Sequence, residues 1–179
     1  MRRIVLTFGL IAGAILSVMM MLTIVVFGDR IDFDKGAIIG YTTMVLAFLM
    51  IFFGVKSYRD NVAGGTVSFG RALKVGGLIM LVASVCYVAT WQVIYHNFAP
   101  DFIEKYAAHQ LDNARKSGAS EAEIAAQAAK MEEFGRMYRK PLVNIAYTFL
   151  EPLPVGLLFT LISAGMLSRK RRVQGAVAA

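Results

Sequence analysis

NIAYTFLEPLPVGLLFTLISAG, Asn144 to Gly165, has the length and apolarity of a membrane span, yet it carries a carboxylate and two prolines near its middle. The apolar run extends from Leu142 to Leu167, 26 residues with Glu151 as its one charge. At roughly 1.5 Å per residue a helix of that length exceeds the ~30 Å hydrocarbon core. The pieces on either side of Pro152 and Pro154 are too short to cross separately. One kinked span is the expectation.

Working outward, three uncharged runs precede it: Ile4 to Phe27, Gly36 to Val55 and Val75 to Tyr95, of 24, 20 and 21 residues. With 57% apolar residues in 179, the chain falls in the membrane class. The expected fold is all-α and polytopic, a single membrane domain over residues 1–179. Its four transmembrane helices lie at about 4–27, 36–55, 75–95 and 142–167, with an extramembrane helical hairpin between spans three and four. The first run is too long for the apolar part of a secretory signal and ends in Val25-Val26-Phe27-Gly28-Asp29, so an uncleaved span is expected there. Cys86, the only cysteine, falls inside span three and implies no internal disulfide.

Charge predicts the threading. Four spans put the N-terminus, the 56–74 loop and the C-terminus on one side with net charge +9, and the other two segments on the opposite side with −1. Lys and Arg in short loops favour the cytoplasm, which places both termini of a multi-pass membrane protein there. The formal +7 is then mostly topology, and nucleic acid is not an expected partner. The run Ser168-Arg169-Lys170-Arg171-Arg172 is expected to anchor span four at the inner headgroups.

Residues 99–140 shift from apolar to charged and predict an extracytoplasmic helical hairpin. Phe102, Ile103, Tyr106, Ala107, Gln110, Leu111 and Ala114 recur at helical spacing after Pro100, and Ile124, Ala125, Ala128, Met131, Phe134 and Tyr138 do so before Pro141. Between them lies KSGAS, where Ser120 and Glu123 have the spacing of a capping box. Burial of the two apolar faces on each other is the expected arrangement, with a hairpin lying over the extracytoplasmic mouth of the bundle or docking a partner as the alternatives. His109 has no second histidine at ligand spacing and is expected to be a surface residue.

The phrases SFGRALKVGG, NFAPDFIEKY, SGASEAEI and TFLEPLPVGLLFTLISAGMLSRKRR together resemble a bacterial integral-membrane family defined only as a domain of unknown function, number forty-one ninety-nine. The resemblance covers nearly the whole chain, with EPLPVG and LISAG its most distinctive parts. It implies a multi-pass architecture in the bacterial inner (cytoplasmic) membrane and brings no activity with it.

The site must therefore be argued from residues. Asn144, Tyr147 or Thr148, and Glu151 are spaced by three and four, which sets them on one helix face. Charge in hydrocarbon is costly, so an ionisable residue inside a span marks a functional site by default. Pro152 and Pro154 lack the N–H groups that would bond the carbonyls of Thr148 and Leu150, freeing acceptors beside the carboxylate. Broken transporter helices hold protons or cations with such groups. The competing reading makes Glu151 a neutral kink device bonded to a freed carbonyl or to Tyr41, Thr42, Ser84 or Gln92. Candidate binding residues are Glu151, Tyr147, Thr148, Asn144 and Gln92, the last sharing a face with His96 at an outer vestibule.

Trp91 and Tyr95 at the end of span three are expected in the aromatic belt. Gly9, Gly13 and Ser17, Gly36 and Gly40, and Gly156, Thr160 and Ala164 recur every fourth position, a pattern that serves either internal packing or self-association. Ser68 is expected to cap a helix leading into span three. Paired-His zinc motifs, Cys clusters, phosphate loops and GxSxG elbows are all absent from the sequence. No metal, no cofactor and no catalytic residue is expected. The leading expectation is a non-enzymatic membrane or interaction protein whose partners are the lipid bilayer and a homo-oligomer or another membrane protein. The alternative is a proton- or cation-coupled transporter or channel component centred on Glu151.

Overall fold

The computed structural model describes residues 1–28 and 33–168. The basic residues Arg169 to Arg172 and the charged Asp29, Arg30 and Asp32 lie outside the described residues. The fold is all-α. In chain order the helices are α1 (Arg2–Met21), α2 (Phe33–Asn61), α3 (Phe69–Asn97), α4 (Phe102–Lys116), α5 (Glu121–Tyr138), α6 (Pro141–Leu150) and α7 (Leu153–Leu167). A π-helical turn, Leu22–Val26, prolongs α1.

Four helical stretches are long and apolar enough to cross a membrane: Arg2–Val26, Phe33–Asn61, Phe69–Asn97 and Pro141–Leu167. The second and third outlast the charge-free runs within them, because helical propensity continues into the charged flanks where hydropathy stops. The capping box forms: Ser120 accepts from the Glu123 backbone N–H, and the Glu123 carboxylate accepts from the backbone N–H and hydroxyl of Ser120. Those two bonds hold the Glu123 carboxyl below its ordinary range. Ser68 occupies the first position before α3, but its side chain makes no capping bond, contrary to expectation.

The bundle core is the seam of α1, α2, α3 and α7, filled by Ala12, Leu16, Met44, Phe48, Ile51, Val75, Ile79, Ala83 and Ala164. Small residues decide how closely α1 and α3 approach. A Cβ on Gly9 would stand 2.7 Å from Cβ of Val82, and one on Gly13 would stand 2.6 Å from Cβ of Cys86, both far inside van der Waals contact. One turn further, the Thr90 hydroxyl donates to Ser17 at 2.7 Å. The Gly9, Gly13, Ser17 stripe is thus internal packing. Gly156 is likewise pressed against Met80, whereas Gly40 faces open space.

The helices α4 and α5 pack on each other through a tight turn at Gly118, whose φ of +82° is a left-handed conformation that glycine adopts without a Cβ penalty. Arg139, just past α5, pairs with Glu104 near the start of α4, so the two run antiparallel. Their apolar faces are not buried only on each other. A second core joins Met20, Trp91, Ile94 and Tyr95 of the bundle to Ile103 and Tyr138, with Ile24 and Val25 of the π-helical turn packed against it. Ring contacts make the join: Phe102 meets Trp91 edge-on at 4.8 Å, Tyr138 meets Tyr95 at 5.8 Å, and Phe33 of α2 meets Phe102 at 5.5 Å. His109 reaches Asp34 of α2, with Nε2 3.3 Å from Oδ1. Trp91 and Tyr95 are consequently buried, at 5% and 9% exposure, and are not belt residues.

Candidate binding site

The fourth span breaks where its prolines stand. Glu151 gives the last regular bond of α6, from its N–H to the Tyr147 carbonyl at 3.2 Å, and the Gly156 N–H resumes the pattern on the Pro152 carbonyl at 2.9 Å. A proline ring removes a donor and crowds the preceding turn. Glu151 therefore stands at the break, next to the carbonyls of Thr148 and Leu150, which Pro152 and Pro154 have no N–H to bond.

The carboxylate of Glu151 accepts a hydrogen bond from the Tyr87 hydroxyl at 2.8 Å. This partner was missed in the sequence, which offered Tyr41, Thr42, Ser84 and Gln92. Tyr87 lies three residues beyond Ser84 on α3, about 60° around the helix axis at 3.6 residues per turn, so the packing of α3 on α1 and α7 turns one toward the core and the other toward the fourth span. Ser84 is instead buried with its hydroxyl unpartnered. Gln92 reaches a different target, its side-chain amide donating to Oδ1 of Asn144 at 2.7 Å.

The polar face of span four divides. Asn144 and Thr148 point inward and are buried, and the Thr148 hydroxyl donates to the Asn144 carbonyl at 2.8 Å. Tyr147 and Glu151 lie on the exposed side. Tyr147 is 47% exposed, with its ring against Phe134 at 5.4 Å and Tyr138 at 6.4 Å. Two polar pairs thus bridge α3 to the fourth span, Gln92 with Asn144 and Tyr87 with Glu151, where the sequence predicted one stripe. His96 does not join them: its Nδ1 lies 2.8 Å from the Gln92 carbonyl of its own helix.

Tyr138 reaches down from α5 toward this region, its hydroxyl beside Thr148 and Trp91, and burial pushes its phenol up. The amide nitrogen of Asn144 is buried without a partner. Among the described residues no group of three or more His, Cys, Asp or Glu side chains could hold a metal ion. A shallow groove at the α4–α5 turn, lined by Gln110, Asn113, Glu123 and Gln127, lies apart from the Tyr87–Glu151 pair and is open to solvent. A carboxyl and a phenol in hydrogen bond can hold or exchange a proton, or pair with a cation.

No curated protein and no solved structure matches the chain. A family model matches residues 7–169, and that span includes every helix after the first turns of α1, the α4–α5 pair and the Glu151 break. The chain belongs to the family described as Protein of unknown function (DUF4199).

Proposed function

We propose that the chain is a multi-pass protein of the bacterial inner membrane, without enzymatic activity, that works through association with lipid or protein partners. The observation that supports the membrane part of this reading is the inverted surface of the long helices: Val18, Ile38, Val85 and Leu158 turn outward and are more than half exposed. An apolar exterior of that extent calls for a lipid environment. The +9 against −1 charge asymmetry supports cytoplasmic termini and an α4–α5 pair outside. Reporter fusions after Arg172 and at Gly118 should report cytoplasm and exterior respectively. A cytoplasmic Gly118 would reverse the threading.

The Tyr87–Glu151 bond favours a second reading, in which the protein takes up a proton or cation at Glu151. The carboxylate sits within an apolar span and, among the described residues, has a single tyrosine as its hydrogen-bond partner. Infrared titration of reconstituted protein, with Glu151→Gln to assign the carboxyl band, tests it. Titration within the physiological range and a band sensitive to added cation are expected; a band fixed across that range removes this reading.

A further inference from the structure

Glu151 opens onto a lateral cleft. The helix α6 packs on α3 and α5, and α7 packs on α2 and α3, but α2 and α6 form no packed interface. Above the break in the fourth span the wall between α2 and α6 is therefore open to α3, which supplies Tyr87 as its floor. Tyr41 of α2 is 53% exposed. Tyr147 flanks Glu151 one helical turn away toward the α5 side. The roof is the α4–α5 pair, held to α2 by the Phe33–Phe102 contact and to α6 by Phe134–Tyr147. With its end roofed, the cleft opens sideways, toward the lipid of the membrane reading on which this inference rests.

The charge in the cleft is unbalanced. Tyr87 is the hydrogen-bond partner of the Glu151 carboxylate, on Oε2, and among the described residues no Lys, Arg or His acts on the carboxylate. Its other oxygen remains available to a ligand. A lone anion bordered by tyrosine rings is suited to a cation that also carries apolar surface, because the carboxylate pairs with the charge and the ring faces attract it further. A hydrated metal ion fits less well, since it asks for about six oxygen ligands. Depth separates the remaining candidates. Glu151 lies ten residues from Pro141, about 15 Å along the helix at ~1.5 Å per residue, below the level of phospholipid headgroups.

We infer that the Glu151–Tyr87 cleft is a binding site for a lipid-soluble organic cation, a hydrophobic ammonium or onium ion that enters sideways from the bilayer. Glu151 pairs with the charge, Tyr87 fixes the carboxylate, and the exposed ring of Tyr147 borders the apolar substituents.

The probe is radiolabelled tetraphenylphosphonium, measured at equilibrium on the full chain in phosphatidylcholine nanodiscs. Saturable binding near one per chain is expected, at least ~10-fold weaker in Glu151→Gln and several-fold weaker in Tyr87→Phe. Triphenylphosphine oxide, aromatic and neutral, should not compete. Equal uptake by the wild-type chain and a folded Glu151→Gln variant, or competition by the neutral compound as effective as by the cation, would overturn the proposal. If Glu151→Gln fails to fold, Tyr87→Phe and the neutral competitor still decide it. A wild-type chain whose carboxyl band titrates and responds to inorganic cation but which takes up no tetraphenylphosphonium removes this proposal alone. A fixed carboxyl band with no binding removes the second functional reading as well.

Discussion

Gly13→Leu is expected to force α1 away from α3 and to destabilise the bundle by ~3 kcal/mol or more, the upper end of overpacking effects. Even an alanine Cβ at this position would stand 2.6 Å from Cβ of Cys86, and that β-carbon is tied directly to the α3 backbone. Rotamer change cannot relieve the clash, so a helix must move. The contact lies in the pairing that organises the core, where Ala12 and Leu16 of α1 meet Ala83 of α3. Unfolding in mixed micelles, followed by far-ultraviolet circular dichroism, measures the loss. Gly40→Ala serves as the comparison: a Cβ there meets nothing within 4 Å, and a change within about 0.5 kcal/mol is expected. Combining Gly13→Ala with Cys86→Gly should recover ~1 kcal/mol or more of the loss from Gly13→Ala alone, the coupling expected of residues in direct contact. A Gly13→Leu chain as stable as the wild type would show that this face is not the α1–α3 seam.

The second large effect is expected at the other end of the bundle. Tyr138→Ala should cost ~3 kcal/mol, in the range for removing a buried aromatic side chain, and should shift the emission of Trp91 to longer wavelength. Tyr138 is 8% exposed, its ring lies between Tyr95, Phe134 and Tyr147, and its hydroxyl lies beside Trp91. Trp91 is the one tryptophan of the chain, so the emission has a single source. The adjacent Met137 is 39% exposed, and Met137→Ala should leave both stability and emission nearly unchanged. An unshifted Tyr138→Ala spectrum would mean that α4 and α5 are buried mainly on each other, as their sequence periodicity suggested. The structure departs from that expectation because Phe102, Ile103, Tyr106, Phe134 and Tyr138 exceed what two short helices can cover mutually. The excess apolar surface is buried against Met20, Trp91, Ile94 and Tyr95.

Where reading the sequence succeeded, the determining interactions were local. Uncharged runs of 20 residues or more located the long helices, because length and hydropathy are properties of consecutive residues. The Ser120–Glu123 box and the break at Glu151-Pro152 were legible for the same reason, since capping and the missing proline N–H act within one turn. Glu151, Asn144 and Gln92 stood out as polar residues in apolar runs. Tertiary structure decided how each helix is rotated about its own axis and which surfaces it meets. That rotation paired Glu151 with Tyr87, 64 residues away, and directed Gln92 to Asn144. It spent the Gly9, Gly13, Ser17 stripe inside the bundle and left Gly40 facing open space. It also took Trp91 and Tyr95 from an expected headgroup belt into a core under α4 and α5. In an apolar helix many rotations bury similar area, so the choice among them comes from close-packing between segments distant in the chain, to which no short stretch of sequence is sensitive.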